Sequence, residues 1–252
     1  MSKIASLYDI HGNLPALEAV LKELEDVKPD LILFGGDIVS GPMPRETLER
    51  LTSLGNARTI RGNGDREVVM AFDGKTLPLA MSENGRRVTE WVARQLTRSQ
   101  RDFLAELPER ITLQVEGLGT ILFCHATPQS DEEIFTPLSR RERLTGIFAD
   151  VEEKIIVCGH THMQFELRVN EARILNAGSV GMPYADEPGA YWLLIGPEGF
   201  ELRRTMYDME AAARDIETSG YPQAEEFAKG NVLTVPTVAE AVEFLERLAQ
   251  EE

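Results

Sequence analysis

The sequence predicts an α/β fold on three observations. Short apolar runs recur along the first two thirds of the chain, and each ends in glycine or polar residues, as buried strands do. Helical patterns separate the earliest of these runs. Later runs follow one another closely enough to form antiparallel hairpins. The chain is therefore expected to combine helices with a partly mixed β-structure.

The first part of the chain alternates strands and helices. The runs that read as strands are residues 4–8, 31–34, 57–60, 121–124 and 155–158. Residues 13–26 form a helix in this interpretation, because Leu14, Leu17, Val20, Leu21 and Leu24 recur at helical spacing. A second helix covers residues 44–54, with Pro44 in its first turn.

The remaining elements predict a main domain with a helical insert and a helical tail. In this interpretation, residues 1–205 form the domain, and residues 66–108 form an insert that carries helices at 83–96 and 99–107. Strands at 164–169, 172–175, 191–195 and 200–205 follow, with a turn at 197–199. Residues 206–252 are expected to form helices at 209–218, 222–229 and 237–250 that pack on the same domain.

Composition limits the class of protein. The 252 residues are 42% hydrophobic and 27% charged, which is enough for one sizeable core. The net charge of −16 disfavours binding to duplex nucleic acid, which needs basic surface. Neither a membrane span nor a signal sequence is recognisable, so a cytoplasmic protein without membrane contact is expected. Cys124 and Cys158 each end a predicted strand and are interpreted as reduced core residues.

All four histidines lie in short polar segments, and the neighbouring segments of this kind carry carboxylates, an asparagine or glycines. The segments are Asp9-Ile10-His11, Gly36-Asp37, Gly62-Asn63-Gly64-Asp65, His125-Ala126-Thr127 and Gly159-His160-Thr161-His162. Each follows a predicted strand, and ligand sites in α/β folds collect at the carboxyl ends of strands. The segments are therefore expected to converge.

The spacing within these segments predicts metal ligands. Asp9 and His11 are two residues apart at a strand end and so face one side, as do His160 and His162. A mixed set of imidazole, carboxylate and amide donors favours first-row metals. The candidate metal ligands are Asp9, His11, Asp37, Asn63, His125, His160 and His162. Seven donors are too many for one tetrahedral ion, but they suit two ions that share a carboxylate.

Each segment taken alone has an ordinary structural explanation. Asp9 could cap the following helix, and Gly36-Asp37 or Asn63-Gly64 could be simple turns. Gly-His-Thr-His is the most specific segment, because two histidines around one residue after a glycine have few structural uses. The order of all five segments, each after a strand, favours the metal site.

With these residues, the sequence resembles the calcineurin-like metallophosphoesterase superfamily, and residues 176–181 resemble a segment of its small bacterial and archaeal phosphodiesterase branch. The resemblance implies a four-layer αββα sandwich of two mixed sheets. It also implies one metal on Asp9, His11, Asp37 and His162, with Asp37 bridging to a second metal on Asn63, His125 and His160. Manganese is expected, with iron, zinc or nickel as alternatives.

The chemistry implied by this resemblance is attack on phosphorus by a hydroxide that bridges two metals. Asp37, Asn63 and His125 are then the catalytic candidates, and Asn63, Arg61 and Arg66 are the candidates for substrate binding. Many relatives carry a histidine where this chain has Gly64. Without it, Asp65 is expected to order the loop, and the hypothesis is a preference for leaving groups that depart unprotonated.

The expected activity is that of a phosphodiesterase on small phosphorylated metabolites or nucleotides. Two alternatives stay open from the sequence. One is a dinucleoside polyphosphate hydrolase or nucleotidase, and the other is a non-catalytic, protein-binding scaffold with the same fold. The complete set of metal ligands favours an enzyme. The apolar face of the last helix leaves a homodimer open as well.

Overall fold

Ten strands form two five-stranded sheets in residues 1–249, the part of the chain that this computed structural model describes. The strands are β1 (Ile4–Leu7), β2 (Leu31–Phe34), β3 (Ala57–Thr59), β4 (Arg110–Val115), β5 (Gly119–Cys124), β6 (Ile155–Cys158), β7 (Gln164–Val169), β8 (Ala172–Ala177), β9 (Ala190–Gly196) and β10 (Gly199–Thr205). The order is β10-β9-β1-β2-β3 in one sheet and β4-β5-β6-β8-β7 in the other.

Both sheets are mixed. In the first sheet, β1, β2 and β3 are parallel, while β9 pairs antiparallel with β1 and β10 with β9. In the second sheet, β5, β6 and β8 are parallel, and β4 and β7 are antiparallel edge strands. The parallel strands at the centre of each sheet bring their carboxyl ends to one edge, where the polar segments lie.

The helices of the described residues cover the outer faces of both sheets. They are α1 (Leu14–Val27), α2 (Pro44–Thr52), α3 (Asn63–Phe72), α4 (Glu83–Gln95), α5 (Arg98–Glu106), α6 (Arg141–Ile147), α7 (Met209–Glu217), α8 (Ala224–Phe227) and α9 (Val238–Leu248), with a π-helical turn at Ala228–Leu233 after α8. Asn13 caps α1, since its side-chain oxygen accepts a hydrogen bond from the Ala16 amide at 3.2 Å.

Three hydrophobic cores hold the layers of the fold together. Helices α1 to α5, α7 and α8 pack on the first sheet, with side chains such as Leu17, Trp192 and Ile216 in that core. The facing sides of the two sheets form a second core that includes Leu33 and Phe123. Helices α6 and α9 pack on the outer face of the second sheet. The layers are therefore helix, sheet, sheet and helix, which confirms the predicted αββα sandwich.

The predicted elements agree with the structure at most positions. The strands at 31–34, 155–158 and 164–169 match in both bounds, and Cys124 and Cys158 are buried and free, as expected. The predicted loop after β3 is different, because Asn63 opens helix α3 rather than a turn. Asp65 explains the difference: its carboxylate accepts from the Gly62 amide at 3.2 Å, which satisfies a donor at the helix start.

The insert and the tail are integrated into the sandwich. Helices α4 and α5 join α3 in the first core, so the predicted insert shares that core with the domain. The tail divides between layers, with α7 and α8 on the first sheet and α9 on the second. Gln250, the predicted end of the last helix, lies outside the described residues. The division of the chain at residue 205 stays a prediction.

None of the helices within residues 1–249 is long and apolar enough to cross a membrane.

Candidate metal centre

The five polar segments meet at the carboxyl ends of β1, β2, β3, β5 and β6. Within them, the backbone is left-handed at Asp9, His11, Asp37, His160 and His162, with φ between 48° and 64°. Non-glycine residues rarely adopt this conformation, and where they do, the strain is usually tied to function. Five of the seven candidate ligands therefore sit on strained backbone that the surrounding fold holds in place.

The first donor group contains Asp9, His11 and His162. The Nε2 atoms of the two histidines are 3.0 Å apart. Oδ1 of Asp9 lies 3.5 Å from Nε2 of His162 and 3.9 Å from Nε2 of His11. Donors at about 2.1 Å from one first-row ion stand about 3–4 Å from each other. The three atoms are therefore spaced as ligands of one ion.

The second donor group contains Asp37, Asn63 and His125. Nε2 of His125 lies 3.1 Å from Oδ1 of Asn63 and 3.6 Å from Oδ1 of Asp37. The other oxygen of Asp37, Oδ2, is 3.7 Å from Nε2 of His11. One carboxylate thus faces both groups. Asp9 is also shared, because its Oδ1 is 3.8 Å from Nε2 of His125.

Each of the four histidines bonds one ring nitrogen to a backbone carbonyl. A carbonyl only accepts, so that nitrogen carries the hydrogen and the other presents a lone pair. The pairs are Nδ1 of His11 with the oxygen of Ser40 (3.0 Å), Nδ1 of His125 with Gly35 (2.8 Å), Nδ1 of His162 with Met182 (2.8 Å) and Nε2 of His160 with Glu132 (3.0 Å). The free nitrogen of His160 is therefore Nδ1, whereas in the other three it is Nε2.

Oδ1 of Asp9 is buried and has no hydrogen-bond donor among residues 1–249. The second oxygen, Oδ2, accepts from the His160 amide at 2.8 Å, which orients the carboxylate. A buried carboxylate oxygen without a donor is unfavourable unless a cation lies beside it. This orphaned oxygen and the free histidine nitrogens around it fit divalent metal ions.

The pKa shifts of Asp9, His11 and His160 favour the forms that bind metals, whereas at His125 the charges of Asp37 and Asp9 outweigh burial and raise the pKa. Burial lowers the pKa of His11, and the neighbouring His162 lowers it further. Burial and the ring of His125 lower the pKa of His160 to about 4. Burial alone would raise the pKa of Asp9, but the histidines around it, His162 first, outweigh burial and lower it. His11 and His160 are therefore neutral at neutral pH, and Asp9 is ionised.

Two buried side chains to which the sequence analysis assigned no function hold the candidate metal ligands in position. Asn176 donates to the carbonyl of Gly159 at 2.7 Å and to Oγ1 of Thr161 at 3.0 Å, which fixes the Gly-His-Thr-His segment. Ser179 donates to the carbonyl of Asp9 at 2.7 Å. Both belong to the segment 176–181, and the position of Asn176 near the end of a buried strand was the available signal.

Gly64 lies in the first turn of α3 against Ser40. A Cβ built at Gly64 would stand 2.4 Å from Oγ of Ser40 and 3.1 Å from Oδ1 of Asp37, so the site has no room for a side chain there. The amide of Gly64 instead donates to Oδ1 of Asp37 at 2.8 Å. The backbone amide of Gly64 therefore orients the shared carboxylate, and the lack of a side chain avoids a close contact with Ser40.

Asp65 is fully buried and orders the loop around Asp37. Its carboxylate accepts from the amides of Ile38 at 2.9 Å, Val39 at 3.3 Å and Gly62 at 3.2 Å. Burial and the charge of Asp37 raise the pKa of Asp65 to about 7. Three backbone donors occupy the carboxylate, so it does not face the donor groups as a proton source.

Both predicted substrate arginines are paired with carboxylates. Arg66 forks onto Asp131, with Nε to Oδ2 at 2.8 Å and Nη2 to Oδ1 at 3.0 Å, and Nη2 also reaches Glu132 at 2.8 Å. Arg61 bonds to Glu109 at 2.7 Å. Arg66 lies next to the centre, in the wall of a cavity that His125 also lines. A direct contact of either arginine with substrate stays a proposal.

The family sequence model of the calcineurin-like phosphoesterase superfamily domain matches residues 3–195, which are most of the chain. The chain belongs to this superfamily. It is therefore a metallophosphoesterase, and the resemblance of its motifs to that family is confirmed. Metal dependence is a property of the family, and the donor groups described above are candidate sites for the metal.

Relatives of this phosphoesterase include archaeal and bacterial proteins. It is 28% identical over 242 residues to an uncharacterized protein of Methanocaldococcus jannaschii, across 88% of this chain and 95% of that protein. The crystal structure of a hypothetical protein from Pyrococcus horikoshii superposes with a TM-score of 0.77, at 23% identity, over 91% of this chain and 97% of the other. The crystal structure of a metallophosphoesterase from Sphaerobacter thermophilus superposes with a TM-score of 0.73, at 24% identity, over 92% of this chain and 98% of the other.

Proposed function

We propose that this metallophosphoesterase is a dinuclear phosphodiesterase that acts on small phosphorylated metabolites or nucleotides. The observation that carries the proposal is the state of the four histidines. Each donates its N–H to a backbone carbonyl. The free nitrogens of His11, His125 and His162 lie within 4 Å of the buried carboxylates of Asp9 or Asp37. The donors of Asp9, His11 and His162 and those of Asp37, Asn63 and His125 form two groups joined by Asp37, and the family resemblance assigns His160 to the second metal as well.

Two divalent ions on these donors would supply Lewis acidity for the phosphoryl oxygens and an acidified water as nucleophile. The chain itself positions the components. Asp37 faces both groups, and the Gly64 amide holds its carboxylate in place. Asn63 directs Oδ1 toward His125, which leaves its amide N–H groups for a phosphoryl oxygen.

Among the described residues, the four histidines, Gly64 and Asp65 offer no free proton donor to a leaving group. Every histidine N–H is already donated to a carbonyl, Gly64 has no side chain, and Asp65 is occupied by three backbone amides. A poor leaving group such as an alkoxide needs protonation as it departs. The favoured substrates are therefore activated diesters or phosphoanhydrides, whose leaving groups depart as stable anions.

A dinucleoside polyphosphate hydrolase or nucleotidase is the second candidate. The polyphosphate hydrolase meets the same requirement, because the bond that it breaks is a phosphoanhydride. A protein-binding scaffold is disfavoured, since the full set of metal donors has no use in it. Manganese is the proposed metal, with iron, zinc or nickel as alternatives. Cytoplasmic location, a homodimeric state and the lack of binding to duplex nucleic acid are further parts of the proposal.

The test is a comparison of initial rates for manganese-loaded protein. The substrates are p-nitrophenyl phosphate, bis-p-nitrophenyl phosphate and diadenosine tetraphosphate, and the control is His125→Ala. The proposal expects hydrolysis of the diester or the anhydride in preference to the monoester, and loss of activity in the control. A wide preference for alkyl phosphomonoesters would contradict it.

A further inference from the structure

A cavity of about 480 Å³ lies beside the second donor group. His125 forms part of its wall, so the cavity begins where a phosphate bound at the centre would lie. Its other lining residues come from α3, the start of β4 and the loop after β5, and they include Arg66, Arg110, Thr127, Gln129 and Asp131. Almost all of these side chains are polar or charged, which suits a polar ligand.

Most of the polar groups in this wall are already engaged within the protein. Arg66 is bound by Asp131 and Glu132. The hydroxyl of Thr127 bonds to Glu133 at 3.0 Å. These groups shape the cavity, but they contribute little net charge or free hydrogen-bonding capacity to a ligand.

Arg110 is different. Its Nη1 donates to the carbonyl of Pro128 at 2.7 Å, which holds the guanidinium at the cavity. That partner is uncharged, and no ion pair of Arg110 occurs within residues 1–249. The side-chain amide of Gln129, also in the wall, forms no hydrogen bond with another described residue. Among the described residues, the wall therefore offers one guanidinium without an ion pair and one side-chain amide without a hydrogen bond.

The surroundings of Arg110 decide which side an anion would occupy. On its other side, Arg110 borders a separate cavity that contains Asp150, Glu152 and Glu153. Three carboxylates repel an anion from that cavity. On the His125 side, the acidic residues Glu109 and Asp131 are each paired with an arginine.

We propose that the cavity beside His125 binds a second anionic group of the substrate, such as a further phosphate of a nucleoside polyphosphate, and that Arg110 is the residue that selects it. This inference rests on the proposed function, because it assumes that the first phosphate occupies the metal centre. A guanidinium can grip a phosphate with two parallel N–H groups, which gives both charge and orientation. Arg110 is thus a specificity-determining residue, distinct from the metal ligands.

The test compares Arg110→Gln with wild type on two ligands that differ in charge. Binding of ADP and of adenosine to the manganese-loaded protein is measured by calorimetry, and hydrolysis of diadenosine tetraphosphate and bis-p-nitrophenyl phosphate by initial rates. Loss of one charge-assisted contact should weaken ADP binding at least about tenfold and leave adenosine binding within about twofold. The value of kcat/KM should fall for diadenosine tetraphosphate but not for bis-p-nitrophenyl phosphate.

Two further variants control the experiment. Arg110→Lys keeps the charge and should recover part of the lost affinity for ADP. Arg50→Gln removes an arginine that pairs with Glu18 and lies outside this wall, and it should change nothing. Equal affinity of wild type and Arg110→Gln for ADP would overturn the inference, as would an equal loss on both substrates. Failure of wild type to hydrolyse any substrate would instead count against the proposed function, and the ADP comparison would still decide the role of Arg110.

Discussion

The Nε2 atoms of His11 and His162 lie 3.0 Å apart, and both are lone-pair nitrogens, because Nδ1 of each ring donates to a backbone carbonyl. Two such lone pairs repel one another at this distance. Burial and the neighbouring His162 lower the pKa of His11, so protonation of His11 does not relieve the repulsion at neutral pH. A shared metal ion removes it.

Metal should therefore stabilise the folded protein. Removing the metal by chelation should lower the free energy of unfolding by about 3 kcal/mol for each bound ion, relative to protein held at about a hundred times the dissociation constant. His11→Ala loses a ligand of one ion and keeps the other ion, so it should show about half the wild-type difference between loaded and chelated samples. Urea denaturation with and without manganese measures both, and an equal difference in the two proteins would argue against a metal on His11.

Arg66 should position the second metal site. Its guanidinium donates hydrogen bonds to the carboxylates of Asp131 and Glu132. The backbone carbonyl of Glu132 accepts from the ring of His160. Arg66 therefore joins the helix that begins at Asn63 to the loop that orients His160. Arg66→Gln should weaken the second manganese ion about tenfold, with KM nearly unchanged once metal is saturating.

Asp131→Asn gives the matched test of this link, since it breaks the same fork from the other end. The double variant should be no worse than Arg66→Gln, because Arg66→Gln already removes the contact with Asp131 together with the contact with Glu132. Metal titration followed by calorimetry reports the affinity. A raised KM with normal metal affinity would instead favour the direct contact of Arg66 with substrate.

Gly64 and Ser40 should behave as a coupled pair. Gly64→Ala places a methyl group 2.4 Å from the present position of Oγ of Ser40 and should destabilise the protein by about 1–3 kcal/mol. Removing the Ser40 side chain in Ser40→Gly/Gly64→Ala should recover part of this loss. Equilibrium unfolding in urea measures the coupling, and strictly additive effects would show that the two positions do not compete for space.

Glu67 should make the stability of the metal-free protein depend on pH. Burial and the nearby charge of Asp37 raise the pKa of Glu67 to about 7. The folded state then binds a proton that the unfolded state releases near pH 4.3, so stability falls as pH rises from about 4.3 to about 7. Glu67→Gln has no proton to lose and should show a shallower decline across this window.

The comparison of unfolding free energies at pH 4.5 and pH 7 reports this difference between Glu67→Gln and wild type. Loading with manganese should reduce it, because cations beside Asp37 oppose the repulsion between the two carboxylates. Parallel pH profiles for the two metal-free proteins would rule out the effect.

Much of the fold and the identity of the candidate ligands followed from the sequence. Strand periodicity located the sheets, and the histidines after strand ends could be grouped because those ends meet at one edge. Helix α3 was missed because Gly62-Asn63-Gly64-Asp65 has the local chemistry of a turn. Asp65, in the first turn of α3, also accepts hydrogen bonds from the amides of Ile38 and Val39, which are distant in the chain and which a local pattern does not reveal.

The role of Arg66 was also beyond the sequence. Its partners lie about sixty-five positions away in the chain, at Asp131 and Glu132, so their pairing depends on the tertiary fold. The same holds for Asn176 and Ser179, whose hydrogen bonds cross between loops. Local pattern predicted which residues carry the chemistry, and the tertiary structure revealed which residues hold them in position.

The most direct test of the central claim is the number of metal ions bound per chain. Metal-free protein is titrated with manganese by calorimetry, and the metal content after dialysis is measured by mass spectrometry, for wild type, His11→Ala and His125→Ala. Two donor groups joined by Asp37 predict two ions in wild type and one in each variant. A single ion in wild type, or an unchanged count in His125→Ala, would contradict the dinuclear site.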